Sequence, residues 1–361
     1  MEKRGVMLIS KLQKIMDSHV EQNLECGCQL VIYQNGELLC DLVSGYLDHS
    51  GQRKVDHDTL FPVYSAGKSI LTTLTHICVE KGFLHYEDPV SRYWKEYACN
   101  GKEQTCVWHF LTHRAGAWKF PEDLPYASYY KWEEACKALE EAPLYGELGG
   151  FHEYHAYTYG VLVGRLLEKA TSRPLRTLLQ EFILQPLEIG DFFWGNPGMA
   201  YDNVAKIEPY LDQESRPVEN EWLLLNDPCY LLEGLNPSVN TLTTASALAK
   251  IHASLFGKGY KGIRLLRDST VENAIKIRRN EAYPVLADEW DKFGLGYIVS
   301  GETSHWNRFF GQAGACGSEG FVDRAGGYAV GLTRNQQLAS DPDYPLRNEI
   351  LRVLGIPVRV W

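Results

Sequence analysis

No run of five basic residues occurs in these 361 residues, and the formal net charge is −10 at neutral pH. That balance repels phosphate backbones and anionic headgroups, so neither nucleic acid nor a membrane surface is expected as a partner. No stretch approaches the about 18 uncharged apolar residues that a membrane span needs. Internal repeats, low-complexity tracts and obvious linkers are missing as well, which leaves one large domain or two coupled lobes with a full core. The N-terminal segment lacks a secretory pattern: Leu8, Ile9, Leu12, Ile15, Met16 and Val20 instead form the apolar stripe of a helix interrupted by Lys11, Lys14 and Asp17. Cysteines number nine, and most, such as Cys40, Cys78 and Cys229, sit inside apolar segments. Buried free thiols in a reducing compartment are therefore expected, with the cytoplasm as location. Metal motifs are also lacking. Cys26-Gly27-Cys28 is too tight for a zinc pair, and His152-Glu153-Tyr154-His155 falls one residue short of a metalloprotease motif, without a third ligand. Neither a metal nor a cofactor is expected.

What is present reads as an α+β chain. Gln29 to Tyr33 and Glu37 to Val43 flank Asn35-Gly36, the pattern of a hairpin. Helical spacing then dominates from Ser65 to about Ser254, clearest over 105–113, 156–170, 175–184 and 243–256. Between two of these lies 116–150, read as a long irregular, lid-like loop rich in Trp118, Phe120, Tyr126, Tyr129, Tyr130, Trp132 and Tyr145. Strand patterns return over 294–300, 317–323 and 327–334, and a helix closes the chain over 346–354. The expected architecture is a mainly antiparallel sheet of N- and C-terminal strands (1–64 and 255–361), flanked by helices, with a mainly helical lobe (65–254) inserted.

The richest chemistry lies at Ser65-Ala66-Gly67-Lys68, where the apolar run Leu60 to Val63 gives way to the helical pattern Ile70, Leu71, Leu74, Ile77. A serine in the first helical turn lies beside free backbone N–H groups, and a lysine one turn on shares its face. A partly desolvated lysine can take the serine proton and make the hydroxyl a nucleophile. The plain alternative is an ordinary helix-capping serine with a solvated lysine. A second match, Ser128 to Lys131, has no helix behind it and reads as accidental. Cys316-Gly317-Ser318-Glu319-Gly320 approaches a nucleophile elbow, but a strand follows it and the last histidine, His305, precedes it, so that reading is rejected. His113, at a helix end, reads as a structural residue favourable to the dipole. Tyr154, expected to open the 156–170 helix, can serve as a general acid/base if it lies near the lysine.

Taken in order, Phe61 to Lys68, Leu111 to Gly116, Tyr154 to Gly160, Gln185-Pro186-Leu187 and Gly311-Gln312-Ala313-Gly314 resemble the β-lactamase-related serine hydrolases. That superfamily includes class C β-lactamases, D-alanyl-D-alanine carboxypeptidases and esterases, and the likeness spans about residues 8–354. The Tyr-His-Ala-x-Thr-Tyr-Gly segment is most similar to the esterase-like branch. The resemblance implies Ser65 as acylated nucleophile, Lys68 as proton acceptor and Tyr154 as acid/base. It also implies an oxyanion hole from the amides of Ser65 and Ala315, the latter donated from the strand edge after Gly314. Where such strand motifs usually carry Lys or His, this chain has Gln312, which cannot pair with a carboxylate. A small-molecule acyl ester is thus the expected substrate, with Phe192-Phe193-Trp194 and Trp306 as apolar pocket walls. β-Lactamase or D-amino-acid peptidase activity, and a non-catalytic binding member of the same fold, are the alternatives.

Overall fold

The computed structural model describes residues 2–150, 152–196, 198–210, 216–218, 221–232, 234–276, 293–300, 308–337 and 344–358. The chain opens with helix α1 (Glu2–Glu21) and the hairpin β1 (Gly27–Gln34) and β2 (Glu37–Gly45). At its turn Asn35 and Gly36 both take positive φ, 52° and 88°, as a two-residue turn matching strand twist requires. Strand β3 (Phe61–Pro62) leads into α2 (Ala66–Glu80), followed by α3 (Val107–Leu111), α4 (Trp132–Glu141), α5 (Thr158–Thr171) and α6 (Leu175–Leu179). Then come β4 (Phe192–Trp194), α7 (Pro228–Leu231), β5 (Thr241–Thr243), α8 (Ala245–Ala253) and α9 (Asp268–Ala274). The last part supplies β6 (Ile298–Ser300), β7 (Phe309–Ala313), β8 (Glu319–Asp323), β9 (Tyr328–Arg334) and α10 (Pro345–Leu354).

Six strands form the main sheet in the order β2-β1-β9-β8-β7-β6, every neighbouring pair antiparallel. The expected mainly antiparallel sheet built from both ends of the chain is therefore present. Leu30 pairs with Leu332 across the β1–β9 junction. Both faces of β1 are covered. Leu30 and Ile32 meet Leu12, Met16, Leu346 and Ile350 beneath α1 and α10, while Val31 and Tyr33 join the larger core shared with α2, α5 and α8. Burial on both faces explains why Leu30 to Tyr33 run apolar without alternation. A second sheet, β3-β5-β4, braces the start of α2 through Val63 N–H donating to Thr241 O at 2.9 Å. No helix among the described residues is long and apolar enough to cross a membrane.

Several elements differ from the sequence reading. The 105–113 helix shrinks to the five residues of α3, and the stretch 116–150 contains the ten-residue helix α4. Trp132 holds α4 to α5, its Nε1–H donating to Glu168 Oε2 at 2.9 Å. The strand expected over 294–300 is only β6, because Gly294 N–H turns back to Tyr297 O. The small sheet and β7 escape the periodicity analysis. Cys229, expected inside the core, is exposed.

Candidate active site

A sharp reversal between β3 and α2 presents Ser65. Tyr64, buried, adopts φ 47°, a left-handed conformation that costs an L-residue about 1–3 kcal/mol and persists only where packing enforces it. Ser65 follows as the N-cap of α2, yet its side chain makes no capping bond. The hydroxyl is instead engaged by Lys68, whose Nζ lies 2.8 Å from Ser65 Oγ. That contact disposes of the capping-serine alternative. Ser65 is part-exposed amid buried neighbours, whereas Lys68 is 1% exposed.

Lys68 Nζ has two further partners, donating to Ala156 O at 2.8 Å and to Ser238 O at 3.1 Å. Burial alone holds its pKa well below the ordinary lysine range. In the neutral amine the two N–H groups go to the two carbonyls, which can only accept, and the remaining lone pair faces Ser65 Oγ. An amine so arranged is a base with its acceptor orbital already aimed.

Tyr154 completes the cluster. Its ring centroid lies 5.0 Å from Lys68 Nζ, and its hydroxyl accepts Gln312 Nε2–H at 3.2 Å. Burial pushes the phenol up to about 12, against the lowering by Ser65 and Gln312, so it is held as a protonated donor. Tyr154 does not open a helix as expected. Helix α5 starts at Thr158, because the preceding backbone has other partners: Glu153 and His155 N–H groups turn to His113, and Ala156 O takes Lys68.

Gln312 extends from β7, its Nε2–H donating to Tyr154 Oη and to Ala313 O, both at 3.2 Å. Ala313 O can only accept, which fixes the amide orientation and leaves Gln312 Oε1 buried without a partner among the described residues. Just beyond, Gly314 abuts the start of α2. A Cβ there would stand 2.0 Å from Val63 O and 3.2 Å from Ala66 N. This close approach puts Ala315 beside the Ser65 turn, and the amides of Ser65 and Ala315 donate to no backbone carbonyl among the described residues. Two uncommitted N–H groups near one hydroxyl fit a developing oxyanion.

The aromatic expectations divide. Phe192 and Trp194 are 2% exposed and belong to the main core, packed edge to face, so they are not pocket walls. Trp306 lies outside the described residues. Only Phe193 joins the cluster that carries Tyr64 and Ala315, together with Tyr126, Tyr130, Tyr157 and Tyr230. Within it Tyr126 O–H donates to Tyr157 Oη at 3.0 Å. Ala156 and Ser238 were missed in the sequence, since both serve Lys68 through backbone carbonyls that leave no side-chain signature.

Comparison with known proteins agrees with this geometry. The family model described as "Beta-lactamase" matches residues 12–353. Esterase/beta-lactamase LipL of Mycobacterium tuberculosis is 26% identical over 351 residues, covering 87% of this chain and 78% of that protein. Esterase EstB of Burkholderia gladioli is 25% identical over 228 residues, 58% of this chain and 57% of the relative. Among solved structures, a family VIII carboxylesterase superposes with a TM-score of 0.84 at 21% identity, covering 96% of this chain and 97% of that one, which shows a shared fold. The motifs, the antiparallel sheet with its helical cover and the matched span together establish that the chain belongs to the β-lactamase family, on the branch whose relatives are esterases.

Proposed function

We propose that this protein is a serine esterase acting on small to medium acyl esters through an acyl-enzyme on Ser65, with acyl transfer to an alcohol or amine as a side reaction. The observation that carries the reading is the triple engagement of Lys68, whose two carbonyl partners leave its lone pair for Ser65 Oγ. As Oγ attacks the ester carbonyl carbon, its proton passes to Lys68 Nζ. The new ammonium has a third N–H for Ser65 and the face of Tyr154 nearby. The carbonyl oxygen, now anionic, sits against the Ser65 and Ala315 amides, each donor of this kind being worth about 3 kcal/mol in the transition state. Collapse expels the alcohol with the proton of the Tyr154 phenol, which Lys68 then restores. Water attacks the acyl-enzyme by the same route reversed, with Tyr154 and Lys68 taking its proton and Ser65 recovering one.

An uncharged Gln312 favours neutral esters over the carboxylate-bearing β-lactams and D-peptides, since an anion there would have no cation to replace its lost hydration. A fluorophosphonate is expected to add covalently to Ser65, and Ser65→Ala should abolish both labelling and hydrolysis of nitrophenyl esters. Persistent labelling in that variant would refute the assignment. Rapid turnover of nitrocefin would promote the β-lactamase reading, and a folded protein inert to every acylating probe would favour the non-catalytic one.

A further inference from the structure

The proposed reaction needs two proton-handling groups, Lys68 and Tyr154, held on segments far apart in sequence. Both are tied to the short non-helical stretch 153–156, one through the Tyr154 side chain and the other through Ala156 O. Beside the Lys68 and Gln312 contacts, the backbone of that stretch is held by one residue at two points. His113, just past the end of α3, accepts Glu153 N–H on its backbone oxygen at 3.1 Å and His155 N–H on its imidazole Nδ1 at 3.1 Å. The two bonds bracket Tyr154, and the imidazole also packs on the phenol ring, with centroids 4.8 Å apart and planes at 48°. A third contact, to the Tyr159 ring at 4.9 Å, ties the same imidazole to the first turn of α5.

Chemistry fixes the tautomer. A backbone N–H can only donate, so Nδ1 carries the lone pair and any proton on the neutral ring sits on Nε2. His113 is 1% exposed and takes φ 55°, an unusual conformation for a residue with a Cβ, which leaves its carbonyl and its ring both bonded to one neighbouring strand of chain. A merely space-filling side chain has no need of an acceptor at that atom.

We infer that His113 is a positioning residue for the reaction, holding the 153–156 backbone so that the Tyr154 phenol and the Ala156 carbonyl keep their places around Ser65 and Lys68. The inference rests on the Ser65–Lys68–Tyr154 reading above. It separates two roles of one ring, packing against Tyr154 and accepting from His155 N–H, and these can be tested apart. Phenylalanine keeps the ring and loses the acceptor. Asparagine loses the ring and presents Oδ1 close to where Nδ1 stood.

The test compares wild type, His113→Phe, His113→Asn and Tyr154→Phe by kcat and KM on nitrophenyl acetate and by the rate of fluorophosphonate labelling. His113→Phe is expected to lose about 10²-fold in kcat with KM unchanged, with labelling slowed in parallel, since misplacing a reacting group by about 1 Å costs that much. His113→Asn should stay within about tenfold of wild type, as the hydrogen bond survives. Equal losses in the two variants, wild-type kcat in His113→Phe, or a rise in KM at constant kcat would each overturn the proposal. Should His113→Phe fail to melt cooperatively, His113→Asn decides alone: a kcat as low as that of Tyr154→Phe overturns it. Failure of the wild type itself to label at Ser65 would instead overturn the esterase reading.

Discussion

A buried amine without a carboxylate beside it is an uncommon thing to fold around, and Lys68 leaves a thermodynamic trace. Its pKa is held below the ordinary lysine value near 10.4, so between the lowered value and that one the unfolded chain binds a proton that the folded chain does not. Stability must then rise with pH across this window, by up to about 1.4 kcal/mol per pH unit. Lys68→Met removes the titrating group and should remove the rise along with the activity. Thermal melts of both proteins from about pH 6 to 10 check this; parallel curves would contradict it. Ser65, Lys68, Tyr154 and Gln312 could be read from the sequence because each carries a reactive or polar head in a short motif. The carbonyls of Ala156 and Ser238 could not, since any residue supplies a carbonyl and only the folded path of the chain aims it. His113 was visible as a residue but not as an anchor for Tyr154, because its partner lies 42 positions away.

The cluster depends on how β7 meets α2. Gly314 permits contact so close that a single methyl group would stand 2.0 Å from Val63 O. Gly314→Ala should therefore push the end of β7 off the helix, drawing Gln312 and Ala315 away from Ser65. A kcat loss of about 10²-fold on nitrophenyl esters is expected, with a lowered melting temperature; activity within twofold of wild type would contradict it. Long periodic elements such as α1, α5 and the β1–β2 hairpin follow from sequence pattern, their apolar spacing persisting over several turns or pleats. Strands β3, β4 and β5 have two or three residues each, too few to show a period, and are defined only by their neighbours. Helix α4 did carry a signal within the supposed loop: Glu133 and Glu134 in its first turn and buried Ala135, Cys136, Ala138 and Leu139 at helical spacing.

Joining the two ends of the chain in one sheet has an electrostatic cost at its seam. Arg334, at the end of β9, donates Nε–H to Glu25 Oε2 at 2.8 Å, and both side chains are buried. Burial pushes the Glu25 carboxyl up to about 7 although Arg334 opposes the shift. Removing the cation by Arg334→Met leaves only burial, so the carboxyl rises further and the variant should lose about 3–5 kcal/mol. The sign with pH follows from the raised value. A carboxyl whose folded pKa exceeds its unfolded one stabilises the fold at low pH and loses that contribution as pH climbs through the folded pKa. The deficit of Arg334→Met should accordingly stay level through acid pH and widen only as pH climbs above about 7, where the variant's carboxyl still holds a proton that the wild type has released; a deficit in chemical denaturation that stays constant there would refute the pairing.

The pairing of β1 with β9 also bears on when during synthesis the cluster can exist. A ribosome delivers Ser65 and Lys68 well before Tyr154, and Gln312 and Ala315 last, while β1 waits beside an empty place until β9 emerges. On the proposed reading, a nascent chain would carry Ser65 and Lys68 without their partners through most of its translation, and the last strands would both close the sheet and complete the cluster.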